Sequence, residues 1–288
     1  AESMPGIRFF YDFDGTISRL YGALPRGAQT VSASGARRLW VVIDPTLRVL
    51  HVIPFAADGS DRGAVFAALE QLPPPDRFAG FELQPPVLHL ANVFEPEFCK
   101  MLIGLYEKDG GEESGFMREV DGKTIEIKDH KHKRRRDVLI EDAAIIRQTQ
   151  LRIHRRIAPE IRKAHQFQVT RMERYLIACY AAEDRGHFRA HRDNTTKGTA
   201  HRRFAVSINL NDDFEGGEIG FPEYGPQGFK LPTGTACVFS CSLLHMVSPV
   251  TAGKRYAFLP FLYEDAAAKI REANNEYLGE GVGAYKAT

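Results

Sequence analysis

The second half of the chain contains seven short apolar runs separated by Gly, Pro and Asn-Asp breaks. In order, they are VTRMERYLIACYAA, FRAHRD, RRFAVSINLN, GGEIGFP, FKLPTGTACVFSC, HMVSPVTAG and RYAFLPFLYE. Short runs with turn residues between them predict an all-β sandwich or barrel. Two helices, predicted at Pro96–Tyr106 and Glu141–Ala164, precede these runs and are expected to cover one face of the sheet. The predicted fold class is therefore α+β, mainly β.

Proline clusters divide the chain into two predicted domains. The first part contains apolar, β-branched runs and a helix-spaced segment, Gly63–Leu72, which predict a small α/β unit. Pro73–Pro75 and Pro85-Pro86 follow, and consecutive prolines stop helices and favour extended chain. We therefore expect a first domain over residues 1–80 and a second over residues 81–288.

Composition argues against several classes of protein. The 38 Lys and Arg residues against 37 Asp and Glu leave a net charge of +1, so no overall basic field favours nucleic-acid binding. No stretch approaches 18 uninterrupted apolar residues, which predicts no membrane-spanning helix. The beginning of the chain, AESMPGIRFF, lacks the pattern of a signal peptide, and the four cysteines form no CxxC pair. We expect a soluble, cytoplasmic protein without a membrane partner.

Two segments contain residues suited to binding a metal ion. His191 and Asp193 are separated by one residue, so on a strand their side chains point to the same face. His245, about fifty residues later, can complete a set of three ligands. Two histidines and one carboxylate leave three open positions on an octahedral ion, as in the non-haem Fe(II) oxygenases. Arg255 follows on the next predicted strand, where its guanidinium can bind the far carboxylate of a dicarboxylate that chelates the metal.

The stretch from Tyr175 to Tyr263 resembles the catalytic domain of the 2-oxoglutarate and Fe(II)-dependent prolyl-hydroxylase-like oxygenases. The matching segments are ACYAAEDRGHFRAHRDN, RRFAVSINLNDDFEGGEIGFPEYG and GTACVFSCSLLHMVSPVTAGKRYAFLPFLY. The resemblance implies a double-stranded β-helix (jelly roll) with supporting helices. It also implies iron ligands at His191, Asp193 and His245, with Arg255 and Tyr180 binding the C5 carboxylate of 2-oxoglutarate.

The resemblance implies an enzyme that uses Fe(II), 2-oxoglutarate and O2, with ascorbate as reductant. Such a dioxygenase hydroxylates an aliphatic C–H and releases succinate and CO2. Likeness to the family favours a prolyl or related residue in a peptide or protein as substrate. Hydroxylation of a free amino acid or small metabolite is an alternative, and a non-catalytic binding module is another.

Several other residues are candidates for substrate contact. Arg203 and Asn209 lie on predicted strands, and inward placement would bring them to the substrate. The basic run KDHKHKRRRD (Lys128–Asp137) is first interpreted as a solvated loop or an exposed strand. In the resembling family the segment between the first helix and the core, here Asp121–Asp137, forms a mobile hairpin or loop over the active-site mouth. Basic residues there, Arg134–Arg136, would favour an acidic or carboxylate-bearing substrate.

The first domain contains a DxDGT motif, which is typical of haloacid-dehalogenase-like phosphatases. In that interpretation Asp12 accepts the phosphoryl group and Asp14 is the acid. However, about 70 residues are too few for that fold. The segments DFDGTISRLYGA, RRLWVVIDPTLRVLHVI and VFAALEQL resemble instead the C-terminal half of peroxiredoxin-like thioredoxin folds. No cysteine precedes Cys99, so we expect a redox-inactive domain used for docking or dimerisation, or as a structural module.

Overall fold

A computed structural model of the chain describes residues 11–27, 35–44, 47–74, 77, 79–279 and 282–286. The chain divides into two compact units, Ala1–Leu83 and Gln84–Thr288. This division falls three residues after the boundary expected from the prolines. Among the described residues, no helix has the length and apolar character needed to cross a membrane. The cytoplasmic location stays a prediction.

The first unit contains a two-stranded hairpin and two helices in its described part. The elements are α1 (Thr16–Leu20), β1 (Leu39–Ile43), β2 (Val49–Pro54) and α2 (Ser60–Glu70). Strands β1 and β2 pair antiparallel, with Trp40 opposite Ile53. Helix α2 begins three residues before the predicted helix and ends two residues before its end, and the Asp58 carboxylate accepts from the Ser60 N–H at its beginning. The thioredoxin-like fold of this unit stays a prediction.

Both acidic residues of the DxDGT motif bind the beginning of α1. Asp12 accepts from the N–H groups of Ile17 and Ser18 at 2.9 and 2.8 Å. Asp14 accepts from the backbone N–H and the hydroxyl of Thr16. The strand predicted in IRFFYDFDG falls partly outside the described residues, and Tyr11–Gly15 contain no strand. Because both carboxylates are occupied by local hydrogen bonds, the motif is a helix cap in this structure.

Four α-helices lie in the described part of the second unit. They are α3 (Pro96–Asp109), α4 (Ala143–Arg156), α5 (Ala158–His165) and α6 (Asp265–Ala273). The single helix predicted over Glu141–Ala164 is therefore wrong, because the helix breaks at Ile157. Pro159 explains the break, since a proline lacks an N–H and its ring clashes with the carbonyl four residues earlier.

Two sheets form the body of the second unit. The major sheet contains β3 (Leu88–Leu90), β4 (Glu112–Glu113), β8 (Arg136–Leu139), β9 (Arg171–Glu173), β10 (Leu176–Ala181), β12 (Phe204–Asn209), β16 (Ala236–Ser240), β19 (Lys254–Phe258) and β20 (Phe261–Tyr263). The minor sheet contains β7 (Lys133–Arg134), β11 (His187–His191), β14 (Ile219–Gly220), β15 (Gly228–Phe229) and β17 (His245–Val247). Two further pairs are β5 (Phe116–Val120) with β6 (Lys123–Ile127), and β13 (Glu215–Gly216) with β18 (Val250–Ala252). This mainly β architecture confirms the predicted fold class.

Alternation along the central strands separates the two faces of the major sheet. On β12, Phe204, Val206 and Ile208 pack into the same core as helix residues such as Leu102 and Ile161. The intervening Ala205 belongs to a second cluster, which includes Ile219 of the minor sheet. Side chains of a strand alternate between its faces, so one face of the major sheet packs against helices and the other faces the minor sheet. The helix-covered face was expected from the sequence.

The basic run is part of both sheets. Strand β7 pairs with β11 of the minor sheet, and β8 pairs with β10 of the major sheet. Lys133 and Arg135 are only 4% and 8% exposed, so the interpretation of this run as a solvated loop or exposed strand is wrong for them. The hairpin that lines the central cavity is β5–β6, which begins earlier than the predicted segment, Asp121–Asp137.

Candidate metal centre

Three potential metal ligands meet where β11 ends and β17 begins. His191 and His245 occupy paired positions on these two strands, and the Asp193 N–H donates to the carbonyl of Cys241. One ligand atom from each of His191, Asp193 and His245 lies within 4.8 Å of the others. Nε2 of His191 is 3.5 Å from Oδ1 of Asp193, and Nε2 of His245 is 3.3 Å from Oδ2. The structure thus brings together the three residues selected from the sequence.

Backbone contacts orient both imidazoles. Nδ1 of His191 lies 2.8 Å from the carbonyl oxygen of Arg189, and Nδ1 of His245 lies 3.0 Å from that of Leu243. A carbonyl can only accept, so each Nδ1 carries the proton and each Nε2 presents a lone pair to the centre. The ring of Phe188 stacks on His191 with centroids 3.5 Å apart, which further restricts the orientation of that imidazole.

Electrostatics favour the protonation states that a metal ion needs. Burial lowers the pKa of His245 to about 4, so this histidine is neutral at pH 7. Burial alone would raise the pKa of Asp193, but His245 and His191 hold it below its usual range. Neutral imidazoles and an ionised carboxylate are the forms that bind metals. Two nitrogen donors and one oxygen donor on one side of an ion fit a non-haem Fe(II) centre with open positions.

Arg255 presents an unsatisfied buried cation to the same cavity. This side chain is 1% exposed, and Nε and Nη2 donate to Oδ1 of Asn209 at 3.1 and 3.0 Å. Nη2 also donates to the hydroxyl of Ser207 at 2.8 Å. Nη1 has no hydrogen-bond partner among the described residues. A buried guanidinium with only neutral partners and an unused donor is a site for an anion.

Tyr180 lies next to Arg255 on the neighbouring strand of the major sheet. The two residues are paired on β10 and β19, and the guanidinium carbon of Arg255 is 5.3 Å from the Tyr180 ring centroid. The Tyr180 hydroxyl accepts from Nη1 of Arg135 at 3.4 Å. Its ring lies on the inner face with Phe188 and Val247, and the side chain is 1% exposed. The structure therefore places Tyr180 beside Arg255, the residue with which it was expected to bind the C5 carboxylate of 2-oxoglutarate.

The cavity between the two sheets has a volume of about 360 Å³. The candidate ligands, Tyr180 and Arg255 all line this cavity, and the β5–β6 hairpin contributes Phe116–Glu119. Apolar wall residues include Phe239 and Val247. A single cavity therefore contains both the candidate metal centre and the candidate anion site.

Only one member of the Arg134–Arg136 group lines this cavity. Arg135 does so, and its guanidinium forms two 2.6 Å contacts with Asp137. Arg134 donates to the carbonyl of Asp184, and Arg136 donates to that of Gly110. Neither is among the cavity-lining residues, so their assignment as substrate contacts is not supported by where the structure places them.

The remaining candidates for substrate contact, Arg203 and Asn209, form their contacts with other protein groups. Arg203 donates to the carbonyl of Ala200 and lies 3.4 Å from Glu264, and it is absent from the cavity lining. Asn209 also lies outside that lining, but its side-chain oxygen orients Arg255. These placements correct the expectation that Arg203 and Asn209 contact the substrate directly. Cys237 and Cys241 are buried free thiols in an apolar cluster.

Sequence reasoning missed several basic residues of the cavity wall. Lys133, Arg174 and Arg202 all line the cavity. For Lys133 a signal was available, because Lys133, Arg135 and Asp137 alternate along KRRRD and therefore share a face of an extended segment. For Arg174 no such signal was available, since it interrupts the apolar run that contains β9 and β10.

Comparison with known proteins agrees with this geometry. The profile of the 2OG-Fe(II) oxygenase superfamily matches residues 175–263. A PKHD-type hydroxylase of Pseudomonas fluorescens is 41% identical over 91 residues, which are 28% of this chain and 39% of that protein. A PKHD-type hydroxylase of a Synechococcus strain is 34% identical over 89 residues, with the same coverage. The chain thus spans about two fifths of the length of these curated relatives.

A solved structure shares the fold of the second unit. It is a prolyl hydroxylase from Trichoplax adhaerens in complex with a hypoxia inducible factor oxygen degradation domain peptide fragment. The similarity has a TM-score of 0.51 at 15% identity and covers 65% of this chain and 86% of that one. The matched residues 175–263 include the three candidate ligands, Tyr180 and Arg255. The chain thus matches the profile of the 2OG-Fe(II) oxygenase superfamily over residues 175–263 and shares its fold with that prolyl hydroxylase.

Proposed function

We propose that this protein is a 2-oxoglutarate- and Fe(II)-dependent dioxygenase that hydroxylates an aliphatic C–H. The observation that carries the proposal is the pairing of two sites in one cavity. His191, Asp193 and His245 present two Nε2 atoms and a carboxylate to one point, and Arg255 presents an unused buried donor. A metal-chelating dicarboxylate satisfies both sites at once, since one end binds the metal and the other binds the guanidinium.

The side chains of the cavity have distinct roles in this proposal. The two histidines and Asp193 hold the iron, and the carbonyls of Arg189 and Leu243 keep the histidine protons on Nδ1. Arg255 and Tyr180 bind the C5 carboxylate, while Ser207 and Asn209 orient Arg255. Phe188, Phe239 and Val247 exclude water from the part of the cavity that contains the metal centre. With Fe(II) and 2-oxoglutarate bound, the site supplies O2 activation and C–H oxidation, with succinate and CO2 as co-products.

A prolyl or related residue in a peptide or protein is the substrate class proposed first. Support comes from the name of the curated relatives, PKHD-type hydroxylase, and from the structural neighbour, a prolyl hydroxylase with a bound peptide fragment. A free amino acid or small metabolite is the alternative. Ascorbate is proposed as the reductant that keeps the iron in its Fe(II) state.

The test is formation of succinate from 2-oxoglutarate with Fe(II), ascorbate and O2, which needs no knowledge of the substrate. We expect succinate from the wild type and none above background from His191→Ala. His187→Ala is a matched control, because His187 is on the same strand but does not line the cavity. Iron content after anaerobic loading is measured on all three proteins.

The outcomes separate the candidate functions. Loss of iron and succinate in His191→Ala, but not in His187→Ala, supports the dioxygenase. Iron and 2-oxoglutarate binding without turnover, even in a broad peptide and amino-acid screen, would favour a non-catalytic binding module. A wild type that binds neither Fe(II) nor 2-oxoglutarate would contradict the proposed function.

A further inference from the structure

Arg174 is a second cavity-lining arginine whose charge is not matched by a close carboxylate. Three other arginines of the wall each have a carboxylate oxygen within 2.8 Å of a guanidinium nitrogen. The pairs are Arg135 with Asp137, Arg192 with Glu223, and Arg202 with Glu173. Among the described residues, the carboxylate within 4 Å of Arg174 is that of Asp137, at 3.7 Å. The same oxygen, Oδ2, already accepts from Arg135 at 2.6 Å. The guanidinium of Arg174 therefore faces the cavity with donors to spare.

The backbone at Arg174 is in a conformation that L-residues rarely adopt. Its φ is 65°, and it links β9 to β10. A left-handed residue that carries a side chain is strained, because its Cβ approaches its own carbonyl. Such positions are concentrated at functional sites, where the surrounding structure holds them. The strained link turns the Arg174 side chain toward the cavity instead of continuing the strand.

Arg174 lies on the same stretch of wall as the metal centre. Its guanidinium carbon is 5.9 Å from the ring centroid of Phe261, and that of Arg202 is 4.0 Å from the same centroid. Arg202 in turn donates to the carbonyl of Asp193 at 3.4 Å. Burial, together with Arg202 and Arg135, lowers the pKa of Arg174 to about 10, so it remains charged at neutral pH. A bound anion would relieve this repulsion.

Lys133 is also a cation of the wall without a carboxylate partner among the described residues, but it cannot serve the same purpose. Nζ of Lys133 donates to the hydroxyl of Ser114 at 2.7 Å and to the carbonyl of Gly115. Its remaining side faces the ring of Phe188, 4.9 Å from the centroid. Of the three donors of the ammonium, two are used by these oxygens, and the cation also lies beside an aromatic ring.

Arg118 also lines the cavity, but it is exposed and its guanidinium carbon lies 5.9 Å from the ring centroid of Phe116. Once Arg255 is used by 2-oxoglutarate, Arg174 is the guanidinium of the described wall that is partly buried and lacks a close carboxylate, which matches one monoanion.

We propose that Arg174 binds a carboxylate of the prime substrate and so positions the substrate beside the metal centre. The inference rests on the proposed function, because it assumes that 2-oxoglutarate occupies Arg255. A planar guanidinium binds a carboxylate through two parallel hydrogen bonds. The carboxylate belongs either to the end of an amino acid or peptide, or to an acidic side chain next to the reacting residue.

The test uses a small fluorinated acid as probe. The protein is loaded with Fe(II) and saturating 2-oxoglutarate without O2, and binding of 3,3,3-trifluoropropionate is followed by fluorine NMR against 3,3,3-trifluoropropanamide. We expect the wild type to bind the acid and not the amide. The key variant is Arg174→Gly, because glycine tolerates a positive φ and should not impair folding. We expect its affinity for the acid to fall roughly 10- to 100-fold, the range for losing a charge-assisted contact.

Controls separate this site from the co-substrate site. Arg174→Lys keeps the charge but loses the paired geometry, and we expect an intermediate affinity for the probe. Arg147→Met removes an exposed arginine from α4, outside the cavity lining, and should bind the acid as the wild type does. The affinity of 2-oxoglutarate is measured for each protein and should be the same in Arg174→Gly and wild type.

Competition identifies the source of the carboxylate. N-acetylproline is compared with N-acetylprolinamide, and N-acetyl-Pro-Asp-amide with N-acetyl-Pro-Asn-amide, as competitors of the probe. Displacement by one acid but not by its amide supports the proposal and assigns the carboxylate to a chain end or to a side chain. Displacement by neither acid would overturn the prime-substrate role.

Two further outcomes would overturn the inference, and they are distinguishable from failure of the proposed function. If the wild type binds 2-oxoglutarate but does not distinguish the fluorinated acid from its amide, the carboxylate site is wrong. Unchanged affinity for the acid in Arg174→Gly has the same meaning. If 2-oxoglutarate itself does not bind to the iron-loaded wild type, the proposed function fails together with the inference.

Discussion

At the scale of single residues, the cavity depends on buried charges that are held in two different ways. Arg135 and Asp137 neutralise each other through two 2.6 Å contacts. Arg255 is held only by the neutral side chains of Ser207 and Asn209. An ion pair stabilises the fold once it is formed, whereas a lone buried cation carries a desolvation cost that a bound anion offsets. The two arrangements therefore lead to opposite expectations for mutation.

Arg255→Met should weaken co-substrate binding without loss of stability. We expect the KM for 2-oxoglutarate to rise roughly 10- to 100-fold, because two charge-assisted hydrogen bonds are lost. The unfolding temperature of the metal-free protein should stay the same or rise, because methionine needs no counter-ion in this place. Enzyme kinetics and thermal unfolding check the two expectations. Weaker folding with unchanged KM would show that Arg255 is structural.

Asp137→Asn should have the opposite effect and destabilise the fold by about 3–5 kcal/mol, because it leaves Arg135 buried without a counter-ion. Burial would raise the pKa of Asp137, but Arg135 outweighs burial and lowers it to about 2. Unfolding returns this pKa to near 4, so the unfolded state binds more protons between these values. The ionised carboxylate therefore contributes about 2 kcal/mol of stability above pH 4, and this is lost as the pH falls through 2.

Urea unfolding between pH 2 and pH 5 measures this contribution. The wild type should lose stability more steeply than Asp137→Asn over this range, since the variant lacks the titrating group. Parallel pH profiles for the two proteins would contradict the assignment of a lowered pKa to Asp137.

At the scale of elements, strand alternation and one hairpin build the site. Tyr180, Ser207 and Arg255 come from three neighbouring strands of the major sheet and share the face opposite the helices. The β5–β6 hairpin lines the cavity and is attached to other segments through Thr124. The Thr124 hydroxyl accepts from the N–H of Gly198 at 2.9 Å, and its carbonyl accepts from the N–H of Gly279 at 2.9 Å. These contacts hold the hairpin at the cavity.

Thr124→Val should loosen the hairpin selectively. Valine has nearly the same shape, but it leaves the Gly198 N–H without its side-chain acceptor. We expect faster hydrogen exchange for the amides of residues 116–127, with the central strands unchanged. Thr149→Val is the matched control, because Thr149 is a buried threonine of α4 whose hydroxyl donates to the carbonyl of Ile146. Equal effects of both substitutions on the hairpin amides would contradict this role of Thr124.

At the scale of the whole molecule, the sequence was informative where chemistry demands particular residue types. The two histidines, Asp193 and Arg255 were recognisable because metal and carboxylate binding require them at strand-compatible spacings. Arg135 was expected only as one of three consecutive basic residues, Arg134–Arg136, because the composition of such a run does not show which of its members face the cavity. The break at Ile157 was readable from Pro159, and it was missed because the apolar periodicity continued across it.

Two features of the molecule were outside the reach of local patterns. The left-handed link at Arg174 has no glycine or asparagine to signal it, since the surrounding sheets hold an arginine there. The DxDGT motif is typical of a catalytic aspartate pair, an interpretation set aside because the first domain is too short for that fold. The same residue types also bind helix beginnings, and the structure shows this for Asp12 and Asp14. A motif of this length does not distinguish the two uses, because both rely on carboxylates near a helix beginning.

The most direct test of the account is whether 2-oxoglutarate binding requires both the metal ion and Arg255. Isothermal titration calorimetry under anaerobic conditions is performed on wild type, His245→Ala and Arg255→Met, each with and without Fe(II). We expect tight binding only to the iron-loaded wild type, weaker binding to iron-loaded Arg255→Met, and none to His245→Ala. Equal binding with and without Fe(II), or an unchanged affinity in Arg255→Met, would contradict a single site built from the triad and Arg255.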